Sequence, residues 1–246
     1  MLEYYIGRFG LYSSTFLNTL GISPLFELQM KPFKKQLLSH FAQVAKALSN
    51  ANRLEILEFL AQRECPVEDL AQLTGLSVAN TSHHLQQLRQ MGLVESRKEG
   101  LYVIYRLSGQ DVVSLLVELR KVAERHLSDV HQLIDDVLNT KDSVEAIPAD
   151  ELVDRAKDGL VTVLDVRPPE EYRAGHLPGA INIPLSELKE KLQQLDKNKE
   201  VVAYCRGPHC ILAFDAVEQL RAGGLQARRL EGGFPEWRLE GKPVER

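Results

Sequence analysis

The residues best suited to chemistry surround Cys205, in the sequence VVAYCRGPHCI at 201–211. An apolar run rich in β-branched residues, a turn containing glycine and proline, and a periodic segment from Ile211 predict a buried strand, a loop and a helix. Cys205 is therefore expected at the carboxyl end of a strand, facing a helix N-terminus. Backbone N–H groups point outward there and stabilise anions such as a thiolate or a persulfide. We expect this setting to lower the pKa of the Cys205 thiol and to make it a nucleophile rather than an inert buried thiol.

A second cysteine, Cys210, stands five positions further along the chain. Three roles are open for it: filling space in the first helical turn, acting as a resolving thiol, or receiving sulfur from Cys205. Curvature of the loop would bring the two sulfurs close enough for a disulfide or a sulfur-bridged link. His209 either hydrogen-bonds the sulfur and tunes its pKa, or faces solvent.

The composition limits what kind of protein this is. The chain has 246 residues, a net charge of -4 and three cysteines, an odd count that is too small for a disulfide framework and favours a reducing cytoplasm. No segment approaches the ~18 to 20 consecutive apolar residues of a membrane span, so no membrane partner is expected. Residues 31–108 contain ten Lys or Arg against seven Asp or Glu, and this basic excess in an acidic chain suggests a region that meets a polyanion.

The N-terminal half begins with residues 1–32, which show no sustained period and lack the features of a signal peptide. We expect a poorly ordered arm; the alternative is an arm that contacts a partner subunit. Clean helical spacing begins at Lys34, and a second helix is predicted from Asn52 to near Arg63.

Two short helices are then predicted at Val67–Leu73 and Val78–Met91. Between them, Gly75 can take the left-handed conformation that ends the first helix, and Ser77 can cap the second. The following sequence alternates around Glu99-Gly100, which predicts a β-hairpin. A turn-linked helix pair followed by a hairpin is typical of a winged helix-turn-helix.

Polar side chains on the second short helix and cations on the hairpin suit DNA. The helix is expected to bury Leu85, Leu88 and Met91 and to turn short polar groups toward base edges and phosphates. Hairpin cations suit flanking phosphates. The predicted DNA-binding residues are Ser77, Asn80, Thr81, Ser82, His83, His84, Gln87, Arg97 and Lys98. For the two histidines, the alternative is that one packs or caps while the other faces solvent.

The stretch LAQLTGLSVANTSHHLQQLRQMGLVESRKEGLYVIYRLS resembles the ArsR family of bacterial winged-helix repressors, and the resemblance covers residues 33–138. Family members often sense metals through a cysteine pair in the first helix of the helix-turn-helix. Only Cys65 lies in that region here, and one thiolate is too few ligands for a soft-metal site. No metal site is therefore predicted, and Cys65 is interpreted as a helix-end residue.

An apolar stripe runs along Asp111–Asn139 and predicts a single helix about 42 Å long. So long a helix exposes an apolar face that needs a partner. The resemblance implies an isologous homodimer whose two recognition helices read a near-palindromic double-stranded operator DNA. The alternative is that the stripe packs on the second domain.

The polar segment at 139–144 is predicted to be a linker. Beyond it, residues 145–246 alternate strand and helix patterns, which predicts an α/β domain with a parallel sheet flanked by helices. Strands are expected at Val161–Val166, Ala180–Ile183, Val201–Tyr204 and Gln226–Leu230, with a fifth near Ala146-Ile147. Helices are expected at Asp150–Lys157, Leu185–Leu195 and Ile211–Ala222.

The sequence VLDVRPPEEYRAGHLPGAINIP, the YCRGPHC loop and the terminal LEGGFPEWRLEGKPV resemble a single-domain rhodanese. The resemblance implies that Cys205 is the catalytic residue, which takes sulfane sulfur from thiosulfate or a persulfide and passes it to a thiol. Arg206 would attract an anionic donor. The expected substrate-binding loop comprises Arg206, Gly207, His209, Cys210 and Ile211. The residues expected to support the site through ion pairs and hydrogen bonds are Asp165, Arg167, Glu171 and His176.

The loop departs from the family pattern three and five places after Cys205, where Pro208 and Cys210 stand instead of the common glycine and a polar residue, often Arg or Thr. Rhodanese loops commonly carry glycine three places after the cysteine, where Pro208 stands here and removes one N–H donor. Related phosphatases on this fold close a longer loop with arginine six places after the cysteine. Ile211 occupies that place here, which disfavours hydrolysis of phosphate esters.

We therefore expect two domains, a mainly α winged helix-turn-helix and an α/β rhodanese domain, in a dimeric, cytoplasmic, DNA-binding transcriptional regulator that carries sulfane sulfur as a Cys205 persulfide. The alternatives are a protein that is primarily a thiosulfate or persulfide sulfurtransferase, and a redox sensor built on the Cys205 and Cys210 thiols. The expected partners are operator DNA, a second copy of the chain, and a small sulfur donor such as thiosulfate or polysulfide. No cofactor is expected.

Overall fold

A computed structural model describes residues 24–142 and 144–246, and at 24–31 and 139 it describes the backbone only. The chain divides into two compact units, Met1–Ser49 and Asn50–Arg246. The predicted linker at 139–144 lies inside the second unit. The first 23 residues of the predicted N-terminal arm lie outside the described residues.

The described part of the first unit is helix α1, Pro24–Leu48. It begins well before the predicted start at Lys34, so part of the predicted arm is helical. Good helix formers precede Pro32, and Pro24 stands in the first turn, where its missing N–H costs nothing. The helix continues through Pro32, the last residue of the predicted arm.

The second unit begins with helix α2, Ala51–Gln62. The predicted helix-turn-helix follows as helices α3, Val67–Thr74, and α4, Val78–Gln90. Gly75 ends α3 in the left-handed conformation with φ 67°, and the Ser77 side chain accepts the N–H of Asn80 at the start of α4. Both capping predictions are confirmed.

The wing is a three-stranded antiparallel sheet. Strands β2, Val94–Glu99, and β3, Tyr102–Leu107, form the predicted hairpin, with Gly100 at φ 61° in the turn. A short strand β1, Cys65–Pro66, adds to β3 and aligns Cys65 with Tyr105. Cys65 is therefore a strand residue, and its interpretation as a helix-end residue is wrong, because the free edge of β3 offers hydrogen-bonding groups that no local pattern reveals.

The long helix predicted at 111–139 is broken. Helix α5, Gln110–His126, ends at Leu127, whose backbone is extended at φ -106° and ψ 110°, and helix α6, Ser128–Ile134, follows. A π-helical turn at Asp135–Asn139 completes the segment. Ser128 and Asp129 favour a new helix start, and the Leu127 carbonyl accepts the N–H groups of Val130 and His131 there.

The remainder of the second unit alternates helices and strands. Its helices are α7, Ala149–Lys157; α8, Pro169–Ala174; α9, Leu185–Lys191, followed by a 3-10 turn at Leu192–Gln194; α10, Ile211–Ala222; and α11, Phe234–Leu239. Its strands are β4, Val161–Asp165; β5, Ile181–Asn182; β6, Glu200–Tyr204; and β7, Ala227–Arg229. The short helices α8 and α11 were not predicted.

The four strands form a parallel sheet in the order β5-β4-β6-β7. The expected fifth strand is reduced to an isolated bridge between Ile147 and Leu230. Apolar clusters cover both faces of the sheet, so its central strands read as continuous apolar runs. Asp165 of β4 aligns with Tyr204 of β6 and Asn182 of β5, which brings the residues after these strands to one edge.

Candidate functional site

Cys205 directly follows β6 at the carboxyl edge of the sheet, at the predicted position. Side chains alternate along a strand, so Val201, Ala203 and Cys205 all point toward the face covered by α10. The Cys205 side chain is consequently only 1% exposed. Contrary to the expectation of a nucleophile rather than a buried thiol, solvent does not reach this sulfur directly, so a reagent must enter through the adjoining loop.

Cys205 and Cys210 form a disulfide, and their Cα atoms lie 6.2 Å apart. Cys210 is partly exposed and occupies the position before the first turn of α10. Its N–H donates to the Gly207 carbonyl at 3.1 Å, which curls the loop back toward Cys205. Of the three roles open for Cys210, this pairing favours those in which its sulfur reacts with Cys205.

The loop between the two cysteines retains free backbone donors. Within the described ranges, the N–H groups of Arg206, Gly207 and His209 have no hydrogen-bond acceptor, and Pro208 has no N–H. The start of α11 braces the loop: Phe234 donates its N–H to the Cys205 carbonyl at 3.1 Å. A Cβ at Gly233 would collide with the backbone of Gly207, so only glycine permits this approach.

A buried ion pair fixes the strand ends beside the loop. Asp165 accepts the Arg167 guanidinium at 2.6 Å and the Tyr204 hydroxyl at 2.5 Å, and both members of the ion pair are 0% exposed. Burial and the neighbouring Asp165 raise the pKa of Tyr204, so its hydroxyl stays protonated and donates. Arg167 also donates to the Gly175 carbonyl at 2.8 Å and lies over the Phe234 ring.

Arg206, the residue after Cys205, is held by Glu171. Its Nε and Nη2 atoms donate to the two carboxylate oxygens at 2.6 to 3.0 Å, and Glu171 is buried. The guanidinium also stacks over the Phe59 ring, 5.0 Å from its centroid. The charge expected to attract an anionic donor is therefore already paired, and Arg206 acts as an anchor of the loop.

The remaining predicted site residues lie in different settings. His209 Nε2 is 3.3 Å from Glu124 Oε1 on α5, and burial lowers the pKa of His209, so its imidazole is neutral near pH 7. Ile211 begins α10 with an exposed side chain. His176 stacks on Tyr172 and lies 3.7 Å from Glu245, so it ties down the C-terminal segment.

Sequence reasoning missed Gln62, the last residue of α2. Its side chain is 2% exposed, accepts Arg167 Nη1 at 3.2 Å and donates to the Arg206 carbonyl at 3.2 Å. The winged helix therefore hydrogen-bonds directly to the loop that follows Cys205. Local sequence gives no signal for this, because its partners lie more than a hundred residues away.

A second connection joins α5 to α11. Arg120 Nη1 donates to Glu236 at 2.8 Å and Arg120 Nη2 lies 3.7 Å from Glu58. Between α2, α5 and the loop lies a cavity of about 190 Å³, lined by Glu55, Glu58, Phe59, Arg120 and residues 206–210. The loop between Cys205 and Cys210, called the sulfur loop below, therefore faces side chains of the DNA-binding half across this cavity.

The predicted DNA-binding helix presents some of its expected side chains. Asn80 and His83 are exposed, and Ser82, His84 and Gln87 are partly exposed. Burial lowers the pKa of His84, so this imidazole is neutral near pH 7.

Two of the predicted DNA-binding residues at the start of α4 make hydrogen bonds within the helix itself. Thr81 is 0% exposed and its hydroxyl donates to the Ser77 carbonyl at 3.1 Å. Its predicted outward position is wrong, because it shares the buried face with Leu85 and Leu88. Ser77 is exposed, but its side chain caps the helix.

Other polar contacts limit the predicted DNA surface. Gln87 accepts Arg53 Nη1 at 2.5 Å and bonds His83 Nε2 at 2.9 Å. On the wing, Arg97 pairs with Glu64 and Glu99, whereas Lys98 is exposed. Lys98 is therefore better placed than Arg97 to meet a phosphate without first breaking an ion pair.

The described residues contain no group of three or more His, Cys, Asp or Glu side chains arranged to hold a metal ion. None of the helices in the described ranges combines the length and apolar character that crossing a bilayer requires.

Comparison with known proteins matches both halves of the chain. Residues 50–96 match the model of the bacterial regulatory protein, arsR family, and residues 148–240 match that of the rhodanese-like domain. The HTH-type transcriptional regulator Rv0324 of Mycobacterium tuberculosis is 47% identical over 212 residues, which cover 86% of this chain and 93% of that protein.

Two shorter similarities each cover one half. YtwF of Bacillus subtilis, for which a sulfurtransferase activity is proposed, is 35% identical over 86 residues, or 35% of this chain and 82% of that protein. The solved homodimeric winged helix-turn-helix DNA-binding domain of a Mycobacterium bovis protein is 45% identical and covers 39% of this chain and 89% of that one, with a TM-score of 0.37.

Proposed function

The chain belongs to the ArsR family of helix-turn-helix transcriptional regulators and carries a rhodanese-like domain, and on this premise we propose that it controls transcription in response to sulfane sulfur held on Cys205 as a persulfide. The observation that carries the proposal is the hydrogen bond from Gln62, in the DNA-binding half, to the Arg206 carbonyl of the sulfur loop. A conformational change in that loop would act on the DNA-binding half through this hydrogen bond.

The sulfur step is a nucleophilic displacement. The Cys205 thiolate attacks the outer sulfur of a persulfide donor RSSH; the new S–S bond forms as the donor's S–S bond breaks, and RS⁻ leaves with the electron pair. The outer proton stays on the transferred sulfur. The unpaired N–H groups of Arg206, Gly207 and His209 and the N-terminus of α10 support the proposal, since they suit the stabilisation of an anionic sulfur.

Cys210 acts as the resolving thiol. Its thiolate attacks the inner sulfur of the Cys205 persulfide, the Cys205–Cys210 bond forms, and HS⁻ leaves with the outer sulfur. Atoms and electrons balance without a further oxidant, because the sulfane sulfur is itself reduced to sulfide. The disulfide between these residues supports this step, and it also favours a second candidate function, a dithiol redox switch without sulfur transfer.

Helix α2 couples the loop to the DNA-reading helix. At one end Gln62 holds the Arg206 carbonyl, and near the other Arg53 donates to Gln87 of α4 at 2.5 Å. These residues are nine positions, or about 14 Å, apart on one rigid helix. A rearrangement of the loop that shifts α2 would change the position of α4 and thereby the population that binds DNA.

A homodimer on double-stranded operator DNA completes the proposal. Apolar side chains stay exposed along α5 and α6, which supports burial against a second copy. These side chains are Leu115, Leu119, Val122, Leu127 and Leu133. Two α4 helices related by a two-fold axis would read two half-sites, with Asn80, Ser82 and His83 toward the bases.

The test uses full-length reduced protein under anaerobic conditions, with a DNA duplex selected by that protein from a random pool. Intact mass and duplex affinity are measured on the same sample before and after inorganic polysulfide. We expect a gain of sulfur on Cys205 or release of sulfide with the disulfide, together with a change in affinity. Disulfide formed by oxidant alone with the same affinity change, and no sulfide released by polysulfide, would select the dithiol switch. Equal affinity of all forms would refute signalling through Cys205.

A further inference from the structure

The cavity beside the sulfur loop is built from both halves of the second unit. Glu55, Glu58 and Phe59 of α2 and Arg120 of α5 face residues 206–210 across about 190 Å³. Cys210 lines this cavity, whereas Cys205 is buried behind it. A sulfur donor therefore reaches the cysteine pair past side chains of the DNA-binding half. The space suits a donor of few atoms, since sites for drug-sized ligands measure about 300–1,000 Å³.

The cations of this cavity are already neutralised. Arg206 is bound by the buried Glu171 through both carboxylate oxygens. Arg120 is bound by Glu236 at 2.8 Å and approached by Glu58 at 3.7 Å. An anion entering the cavity would compete with these carboxylates for each guanidinium group.

The remaining groups give the cavity a negative excess. Glu55 lines it, Glu124 lies beside His209, and burial leaves His209 neutral. Burial raises the pKa of Glu58; Arg120 opposes this, and the nearby Glu236 and Glu55 add to the rise. The cavity lining itself is balanced, with Glu55 and Glu58 against Arg120 and Arg206. Three carboxylates outside the lining make the total negative, because Glu171 pairs with Arg206, Glu236 pairs with Arg120 and Glu124 lies beside His209.

We infer that these carboxylates select the sulfur donor by charge: the cavity admits a small hydropersulfide that reacts as neutral RSSH and disfavours dianionic thiosulfate. The inference rests on the proposed persulfide function and names its substrate class. With thiosulfate, the Cys205 thiolate would attack the outer sulfur and sulfite would leave with the electron pair. Both that dianion and the sulfite produced would cross a field of the same sign.

The expected effect of one carboxylate on the rate with thiosulfate follows from Coulomb's law. A dianion about 8 Å from one carboxylate in a water-filled cavity is repelled by about 1 kcal/mol, which is about a fivefold change in rate. Added salt screens the same repulsion, because the Debye length falls from about 30 Å at 0.01 M to about 10 Å at 0.1 M.

The experiment compares two donors on the reduced full-length protein without oxygen. The donors are thiosulfate and the hydropersulfide of 2-hydroxyethanethiol, and uptake is the summed rate of Cys205 persulfide and Cys205–Cys210 disulfide by intact mass. Variants Glu55→Gln and Glu58→Gln remove a carboxylate from the cavity. Glu190→Gln makes the same charge change at an exposed position of α9, outside the cavity, and serves as the control.

We expect Glu55→Gln and Glu58→Gln each to raise uptake from thiosulfate about threefold to tenfold, and to change uptake from the hydropersulfide less than twofold. Salt should likewise accelerate only the thiosulfate reaction, and Glu190→Gln should match the parent protein. Thiosulfate uptake that falls with salt, or falls in the cavity variants, would overturn the inference while leaving the persulfide function intact. If neither donor modifies Cys205, the proposed function itself fails and the inference with it.

Discussion

Cys65 and Cys205 occupy local settings that look alike in sequence but differ in chemistry. Each lies at a strand, each has an arginine and a proline close by, and each side chain is 1% exposed. Burial makes Cys65 an inert thiol. Its sulfur lies 3.7 Å from the Arg63 carbonyl oxygen, and burial raises the pKa of the Cys65 thiol to about 12.

Cys205 differs in the segment that comes after it along the chain. A loop with unpaired N–H groups, a helix start and a second cysteine come next, whereas Cys65 is followed by Pro66 and α3. The comparison shows that exposure alone does not distinguish a reactive cysteine. The group that contacts the sulfur decides its reactivity: Cys205 contacts Cys210, whereas Cys65 contacts the Arg63 carbonyl.

The largest expected difference between the two regions is in sulfur uptake. Cys205→Ser should abolish uptake of sulfane sulfur and formation of the disulfide, because it removes the nucleophile. Cys65→Ala should retain both, since that thiol takes no part. Intact mass of each reduced variant after treatment with a hydropersulfide measures the difference, and a Cys65→Ala variant that fails to take up sulfur would contradict the comparison.

The alkylation rates of the two cysteines in the reduced protein should differ by at least ~10³-fold. With a pKa of about 12 for Cys65, only about one thiol in 10⁴ is ionised at pH 8, and only the thiolate reacts. Labelling of Cys65 by iodoacetamide should therefore rise about tenfold for each pH unit up to pH 11, whereas Cys205 should react faster than Cys65 at pH 8. Peptide mapping after timed labelling reads both sites, and equal rates would refute the distinction.

The neighbouring arginines provide a matched pair for stability. Arg206→Gln should cost about 2–4 kcal/mol of unfolding free energy, because it leaves the buried Glu171 without its guanidinium partner. Arg63→Gln should cost about 0–1 kcal/mol, since its partner Asp69 is half-exposed to water. Urea denaturation of the two variants measures the gap. Similar losses would show that Glu171 finds another partner or that the Arg206 pair is weaker than its burial implies.

The smallest expected effect concerns the link between the loop and α2. Gln62→Ala removes the hydrogen bonds to Arg167 and to the Arg206 carbonyl, and should reduce the ratio of operator affinities between reduced and persulfidated protein about threefold to fivefold. Gln194→Ala, at an exposed position of the α/β half, is the control and should leave that ratio unchanged. An unaltered ratio in Gln62→Ala would mean that coupling follows another route.

Local rules predicted the elements that begin or end on a specific residue. Gly75 ends α3 and Ser77 begins α4 as expected, and α10 spans the predicted Ile211–Ala222. The errors arose where distant groups compete. The expected fifth strand is only an isolated bridge between Ile147 and Leu230. Strand β1 was not predicted, because it exists only by pairing with β3. Thr81 was the avoidable error, since its helical spacing from Leu85 already placed it on the buried face.

Sequence by itself determined the two-domain character, the strand-loop-helix around Cys205 and the identity of the second thiol, because periodicity, turn residues and spacing act over a few positions. Only the tertiary structure decided that Cys205 is buried, that Arg206 is bound by Glu171, and that Gln62 joins the loop to the DNA-binding half. Those contacts join residues far apart in the chain, and their free energy exists only when packing holds both partners in place.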